Sequence, residues 1–177
     1  MKQGFLNDGV VNLRAIEPED LELLYTIEND SELWDRGTVM IPYSRYSLRR
    51  FIQNTQNDLY VDRQLRLMIC LSDGNETVGI VDLFNFEPHH SRAEIGITLL
   101  TSYRGRGIAL RAVNLLCEYA FNVFHLHSLS AWVTEENDRS RLLFGTAGFE
   151  VRGVLNDWLM TSEGFRNVLI YQKKLNK

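Results

Sequence analysis

The sequence predicts an α/β (α+β) fold in which a mixed sheet is flanked by helices. The first observation is the order of the hydrophobic patterns, which reads β-α-α-β-β-β-α-β-α-β-β along the chain. The second is a pair of hairpin signals, at Ser72–Glu76 and Thr161–Gly164, because short polar turns with glycine join neighbouring strands. No linker, repeat or low-complexity segment interrupts the order. Residues 1–177 are therefore predicted to form a single domain.

The elements follow from the spacing of the apolar residues. Val10–Ile16 alternates as a strand does, and Pro18 then favours the start of a helix whose apolar residues share one face. A second helical pattern begins at about Ser44, and the segment 30–42 between the two helices is predicted to be irregular. The other strands are predicted at Leu65–Leu71, Thr77–Phe84, Arg92–Leu99, Ser128–Val133, Phe149–Leu159 and Arg166–Lys173.

The segment Arg104–Ala109 carries the strongest functional signal. It follows the strand Arg92–Leu99 and opens a long helical pattern. Gly105 and Gly107 allow a backbone with positive φ, which turns successive N–H groups toward one point beside the positive end of the helix dipole. The segment therefore predicts a site for a pyrophosphate group, and the alternative is an ordinary glycine-rich turn before a helix.

Spacing distinguishes between kinds of phosphate site. The dinucleotide pattern Gly-x-Gly-x-x-Gly fails because its third glycine is replaced by Leu110, and the chain lacks the Gly-Lys-Ser/Thr of a nucleoside triphosphate loop. Arg104, Gly107 and Ala109 instead satisfy Arg/Gln-x-x-Gly-x-Gly/Ala. This pattern resembles the coenzyme A pyrophosphate loop of the GCN5-related N-acetyltransferase (GNAT) superfamily.

A second segment extends the resemblance. Residues 137–149 are similar to the family's Asn-x-x-Ser/Ala-x-x-x-Tyr-x-x-x-Gly-Phe segment, and Asn137 also has the character of a helix N-cap. Four further patterns resemble the branch that contains spermidine acetyltransferases and enzymes that modify the N-termini of ribosomal proteins. They are Leu13–Leu21, Gly79–Leu83, His90–Ile95 and Gly164–Val168.

The resemblance implies the GNAT fold, with a mixed, mostly antiparallel sheet of seven strands, and an N-acetyltransferase that moves an acetyl group from acetyl-CoA to a primary amine. The acceptor would be a polyamine such as spermidine, another small amine or a peptide N-terminus. The resemblance leaves open whether the protein forms a homo-oligomer. A non-catalytic acyl-CoA-binding module is the alternative. The residues expected to hold the cofactor are Ile97, Thr98, Leu99, Arg104, Gly105, Arg106, Gly107, Ile108, Ala109, Leu110, Asn137, Ser140 and Phe144.

Three residues are predicted to serve the chemistry. An alkyl ammonium must lose a proton before it attacks, which costs about 4 kcal/mol at pH 7 for a pKa of about 10.4. Glu94 is the leading candidate for the base, and the alternative is a solvated or salt-bridged strand glutamate with Arg92 or Arg104 as partner. Asp82 is the second carboxylate. Phe144 stands where many family members place a tyrosine beside the coenzyme A sulfur, and phenylalanine cannot donate a proton.

The acceptor is less well defined by the sequence. Glu28, Asp30, Glu32 and Asp35 offer either an acidic rim or an ordinary solvated surface. Val39–Ile41 and Asn85 replace carboxylates that polyamine-specific relatives carry. Three aromatic residues of the same region would line an apolar or peptide-accepting groove, or else pack in the core or anchor the loop, namely Trp34, Tyr43 and Tyr46.

Composition limits the remaining function classes. The net charge of −4 does not suggest a nucleic-acid partner, and the chain has neither a long apolar run nor a signal-peptide core, so a cytoplasmic protein without a membrane segment is expected. Cys70 and Cys117 lie in apolar runs and are expected to be reduced core thiols. No metal is expected, because neither His89-His90 nor His125-x-His127 has a neighbouring cysteine or carboxylate to complete a ligand set.

Overall fold

A computed structural model describes residues 3–30 and 41–176 of the chain. The strands are β1 (Val11–Ala15), β2 (Leu65–Leu71), β3 (Thr77–Glu87), β4 (Arg92–Leu99), β5 (Ser128–Thr134), β6 (Glu150–Thr161) and β7 (Gly164–Lys174). The helices are α1 (Leu21–Glu28), α2 (Arg45–Asn54), α3 (Leu59–Asp62), α4 (Ile108–Asn122) and α5 (Asp138–Thr146). The strands form one seven-stranded sheet in the order β1-β2-β3-β4-β5-β7-β6.

The sheet is mixed, with one parallel contact among its described strands. β4 and β5 run parallel, as they must when the helix α4 crosses between them, and the other neighbours are antiparallel. The predicted class and the mixed, mostly antiparallel sheet of seven strands are therefore confirmed.

Most predicted bounds lie within three residues of the observed ones. β2 and β4 have the predicted bounds, whereas β3 continues to Glu87 and the hairpin strands β6 and β7 reach the turn at residues 162–163. Pro18 opens a 3₁₀ turn (Pro18–Asp20) rather than the α-helix itself, which begins at Leu21. The sequence pattern missed α3, because a four-residue helix is too short to show a period. The predicted irregular segment 30–42 lies almost wholly outside the described residues.

Each face of the sheet packs against its own helices. On one face, α4 and α5 cover the larger core, which includes Leu83, Ile95, Leu116 and Phe144. On the other face, α1 and α2 cover a smaller core around Met68, Cys70 and Ile80. Alternate residues of β4 therefore belong to opposite faces, and Glu94 lies on the face opposite the α4 core.

Candidate active site

The two parallel strands separate in the middle of the sheet. β4 pairs with β5 at Arg92–Ser128, Ala93–Leu129 and Glu94–Ser130, and beyond Glu94 the two strands, as the structure describes them, do not pair. From Ile95 to Leu99, the edge of β4 that faces β5 therefore has no strand partner. An extended molecule that carries amide groups is able to use such an edge as an added strand does.

The segment Arg104–Ala109 forms the predicted turn at the end of β4. Gly105 and Gly107 have φ values of +76° and +77°, and Gly107 is the N-cap of α4 without any side-chain capping bond. The first N–H groups of α4 thus have no intrahelical acceptor. The Nε of Arg104 donates to the carbonyl oxygen of Leu99 at 3.1 Å and fixes the turn to the end of the strand.

Polar contacts position the cations around this turn. The guanidinium of Arg106 lies 5.2 Å from the ring centroid of Tyr103, and the Tyr103 hydroxyl donates to Glu76. That hydrogen bond raises the pKa of the Tyr103 hydroxyl. Arg111 forms an ion pair with Asp8 at 2.8 Å. Arg106 has no ion pair within the part of the chain that the structure describes.

Glu94 lies on the floor of a cleft of about 1010 Å³. The floor is a row of aligned side chains on β4, β5 and β7, because Glu94 pairs with Ser130 and Ser130 with Gln172. Trp132 and Ile170 form the next row. We call this space the Glu94 cleft; its other walls come from residues 62–64, the end of β3 and Arg152.

Glu94 has an amide partner rather than a cation. Its Oε1 accepts a hydrogen bond of 3.0 Å from Nδ2 of Asn85. Arg92 is not within ion-pair distance, and Arg104 is bonded to Leu99, so the predicted alternative of a salt-bridged Glu94 does not describe the observed contacts. Glu94 is therefore a half-buried carboxylate held by one neutral donor, with no cation bound to it among the described residues.

Asp82 has a different environment. Both of its carboxylate oxygens accept hydrogen bonds from Arg66, at 2.8 and 2.9 Å, and the same guanidinium also donates to Glu28. Burial opposes the charge of Arg66, but the two carboxylates outweigh it and raise the pKa of the guanidinium. Glu28 and Asp82 thus share one guanidinium, and the three side chains together carry a net charge of −1.

The helix α5 carries the second sequence segment. Oδ1 of Asn137 accepts from the main-chain N–H of Ser140 at 3.2 Å, so Asn137 is the predicted N-cap. Phe144 is 4% exposed, and its ring centroid lies 5.2 Å from that of Phe149 and 6.4 Å from that of Tyr171. Phe144 therefore belongs to an aromatic cluster at the edge of the α4 core.

Comparison with known proteins gives the same assignment as these two segments. Residues 11–150 match the acetyltransferase (GNAT) domain family. The chain belongs to the GNAT acetyltransferase family. It is 30% identical to the spermidine N(1)-acetyltransferase of Escherichia coli K12, over 90% of this chain and 83% of that protein. It is 27% identical to a putative ribosomal N-acetyltransferase of Bacillus subtilis, over 94% of this chain and 92% of that protein.

Solved structures confirm the GNAT fold. The spermidine N-acetyltransferase of Vibrio cholerae, solved with CoA and spermine, superposes with a TM-score of 0.84 at 22% identity. The match covers 95% of this chain and 97% of that one. The fold thus agrees with the family match over residues 11–150, which makes the protein a GNAT N-acetyltransferase of a family that uses acyl-CoA.

The GNAT domain also contains site features that the sequence did not reveal. Trp132 and Trp158 are 44% and 57% exposed with ring centroids 5.9 Å apart, and Trp132 lines the Glu94 cleft. Their alternating strand positions gave no signal that both rings were exposed on one face. Arg66 was missed because its partner Glu28 lies 38 residues away in the sequence.

Some predicted acceptor residues cannot be assigned a place. Glu32, Trp34, Asp35, Val39 and Met40 lie outside the described residues. Tyr43 packs against the smaller core. Tyr46 is exposed on α2 and lines a neighbouring cleft of about 460 Å³, which shares Asp62 and Gln64 with the Glu94 cleft.

The remaining predicted groups lie apart from the Glu94 cleft. Cys70 and Cys117 are free and buried, and burial raises the pKa of the Cys117 thiol to about 11. Within residues 3–30 and 41–176, no three His, Cys, Asp or Glu side chains are grouped as a metal ion requires. None of the helices described here is long and apolar enough to cross a membrane.

Proposed function

We propose that this GNAT enzyme transfers the acetyl group of acetyl-CoA directly to a primary amine, within a ternary complex and without a covalent enzyme intermediate. The separation of β4 and β5 after Glu94 and Ser130 is the observation that carries the proposal. It provides an unpaired strand edge that leads to the Arg104–Ala109 turn, while the carboxylate of Glu94 faces a cleft on the other side of the sheet. Acetyl-CoA and the amine would thus approach one another from opposite faces of the sheet.

The turn and the strand edge fit the cofactor. Main-chain groups of Ile97, Thr98 and Leu99 would bind the pantetheine arm as an added strand does. The N–H groups from Gly105 to Leu110 would bind the pyrophosphate, helped by the positive end of α4 and the nearby guanidinium of Arg106. When bound, acetyl-CoA supplies an acetyl group activated as a thioester.

Glu94 is assigned the removal of the proton from the ammonium group of the acceptor. An alkyl ammonium must be deprotonated before it attacks, at a cost of about 4 kcal/mol near neutral pH. Glu94 would accept this proton directly or through a water molecule, since its carboxylate has only an amide partner. Asp82 is the weaker candidate, because both of its oxygens accept from Arg66.

The leaving thiolate would depart without a tyrosine at position 144. Asn137 and Ser140 at the start of α5 and Phe144 on its inner face would border the thioester end of the cofactor. Phe144 contributes shape and excludes water but gives no proton. Positioning of the acetyl group beside the amine supplies part of the rate enhancement without an acid.

The class of acceptor is drawn from the relatives. The E. coli relative is named for spermidine and the B. subtilis relative for ribosomal proteins, so a primary amine on a polyamine or on a peptide N-terminus is the shared chemistry. A structure of the V. cholerae relative is dodecameric, and we include self-association of this chain in the proposal. Sedimentation velocity would detect it.

A screen of amines with acetyl-CoA tests the proposed function. Polyamines, amino acids and peptides with free N-termini are each incubated with the enzyme, and released coenzyme A is measured with a thiol reagent. We expect turnover with at least one primary amine, and none with the same compound after N-acetylation. Tight acetyl-CoA binding by calorimetry with no turnover in the whole set would contradict the proposal and favour an acyl-CoA-binding module.

A further inference from the structure

The Glu94 cleft contains arginines that lack ion pairs. Arg63 ends α3 in the left-handed conformation, and Arg92 lies two residues before Glu94 on the same face of β4. Neither guanidinium has a carboxylate within 4.0 Å in the described part of the chain. Arg152, the third arginine of the cleft, is paired with Glu150 at 2.5 Å.

The cleft also contains three carboxylates, on Asp62, Glu87 and Glu94, whose formal charges balance those of its three arginines, so the position of each charge decides what the cleft accepts. Asp62 accepts hydrogen bonds of 2.8 Å from the Thr55 hydroxyl and the Gln56 N–H. Glu28 and Asp82, outside the cleft, are both bonded to Arg66. Glu94 is needed for the reacting amine, which leaves Glu87, opposite Arg92 in the β3–β4 register, as the remaining carboxylate of the cleft.

The two arginines without ion pairs disfavour a second ammonium group in their part of the cleft. A second ammonium group in the cleft would approach Arg63 and Arg92, and like charges 4 Å apart repel by about 4 kcal/mol at an effective dielectric constant of about 20. A carboxylate would instead find two guanidinium groups whose fork geometry suits it. Positions two residues apart on a strand are separated by about 6.6 Å, a distance that one acceptor molecule is able to span.

We propose that Arg92 and Arg63 make the Glu94 cleft selective for an amine that carries a carboxylate near its amino group, in preference to a polyamine. The amino group would lie at Glu94 and the carboxylate at the two guanidinium groups. Either a free amino acid or a polypeptide N-terminus with an acidic second residue has this chemistry. The inference rests on the proposed acetyl transfer and names the acceptor for it.

Matched acceptors test the inference. Two short peptides that differ only by Glu or Gln at the second position are compared with free glutamate and with spermidine, by kcat/KM for coenzyme A release. We expect the Glu peptide or free glutamate to exceed both the Gln peptide and spermidine. Whichever of the Glu peptide and free glutamate has the higher kcat/KM identifies the source of the carboxylate. A hydrogen bond to a charged group corresponds to a preference of roughly tenfold to a hundredfold.

Variants then locate the preference. Arg92→Gln and Arg63→Gln should each reduce the Glu-to-Gln ratio toward one, through KM rather than kcat. Arg49→Gln is the control, because Arg49 is exposed on α2 and does not line the cleft. Preferred turnover of spermidine, or an unchanged ratio in both cleft variants, would overturn the inference while leaving the acetyltransferase intact.

The carboxylate preference of the cleft can still be tested if the protein turns over none of the acceptors. In that case the proposed function fails, and binding of the Glu and Gln peptides to the coenzyme A complex is measured by calorimetry. Binding of the Glu peptide that is lost in Arg92→Gln would support the cleft assignment. Equal binding of the two peptides, or none, would refute it.

Discussion

The guanidinium of Arg66 donates two parallel hydrogen bonds to the carboxylate of Asp82, from Nε to Oδ1 at 2.8 Å and from Nη2 to Oδ2 at 2.9 Å. Its third nitrogen donates to Glu28, so one side chain joins α1 to β2 and β3. The Arg66 side chain is 22% exposed, and the ring of Phe51 lies 5.5 Å from its centre. A partly buried cation between two carboxylates therefore connects the sheet to the helices on the Glu94 side.

Removal of Arg66 should destabilise the fold. Arg66→Met keeps the length of the side chain but leaves Glu28 and Asp82 without a counter-charge in a half-buried place. We expect the free energy of unfolding to fall by roughly 3 kcal/mol, the lower end of the cost for breaking a buried pair. Urea denaturation at pH 7 measures it, with Arg49→Met on the exposed side of α2 as control. Equal midpoints for the two variants would contradict a structural role for this ion-pair cluster.

The environment of Asp20 predicts how the stability of the fold depends on pH. Burial alone would raise the pKa of this carboxyl, but hydrogen bonds from Arg14 and from the N–H of Glu17 outweigh burial and lower the pKa. The stabilisation is then complete above the unfolded pKa of about 3.9, and it is lost as the pH falls through the lower folded value.

The comparison of wild type with Asp20→Asn tests this sign. The wild type should be the more stable protein by a constant amount between pH 7 and 5, and the difference should shrink as the pH falls below about 4. Urea unfolding at a series of pH values measures the difference. Asp73→Asn in the exposed β2–β3 turn is the control. A difference that grows toward low pH would be inconsistent with the assignment.

The sequence predicted the strands and the Arg104–Ala109 turn because these depend on local pattern. Buried and partly exposed side chains alternate at the start of β4, and the positive φ of Gly107 follows from a short glycine spacing before a helix. The Asn137 cap and the left-handed Gly148 were predictable for the same reason. Each of these features is determined by residues within a few positions of one another.

The walls of the Glu94 cleft could not be predicted in this way. Ser130 and Gln172 meet Glu94 only through the strand order, in which β7 lies between β5 and β6. The choice of Asn85 as the partner of Glu94 depends on an irregularity in the β3–β4 register between Phe84 and Glu87. Long-range pairing of this kind leaves no periodic signal in the chain.

Gly107 should be required for acetyl-CoA but not for the fold. Gly107→Val forces a β-branched residue toward φ +77°, where the left-handed conformation costs roughly 1–2 kcal/mol, and adds bulk where a phosphate would approach. Gly74→Val is a matched control, since Gly74 has φ +78° and equally open surroundings in the β2–β3 turn. We expect both variants to lose similar stability and Gly107→Val alone to lose acetyl-CoA binding by calorimetry. Undiminished affinity in a folded Gly107→Val protein would remove the turn from the cofactor site.

Glu94 should control proton transfer. Glu94→Gln preserves the size of the side chain and is expected to lower turnover by about 10²- to 10⁴-fold at neutral pH, with acetyl-CoA affinity nearly intact. The loss should be smaller at high pH, where the amine deprotonates by itself. Glu87→Gln, in the same cleft, is the comparison for a general effect of charge. A pH–rate profile measures these effects. Wild-type rates for Glu94→Gln would contradict the role of Glu94 and leave Asp82 or water as the proton acceptor.

Phe144 allows the departure of the thiolate to be tested. If expulsion of an unprotonated sulfur limits the rate, Phe144→Tyr should place a hydroxyl near it and raise turnover modestly, with a ceiling of about 10²-fold for general-acid help. The position is 4% exposed between Phe149 and Tyr171, so an unpaired hydroxyl would also cost roughly 1–3 kcal/mol of stability. Phe149→Tyr is the matched control, because it adds the same hydroxyl to the neighbouring ring of the cluster. Single-turnover rates, acetyl-CoA affinity and urea stability are measured for both variants with one amine. A stable Phe144→Tyr protein that turns over more slowly than wild type would mean that another group already serves the sulfur, or that the ring at position 144 does not face it.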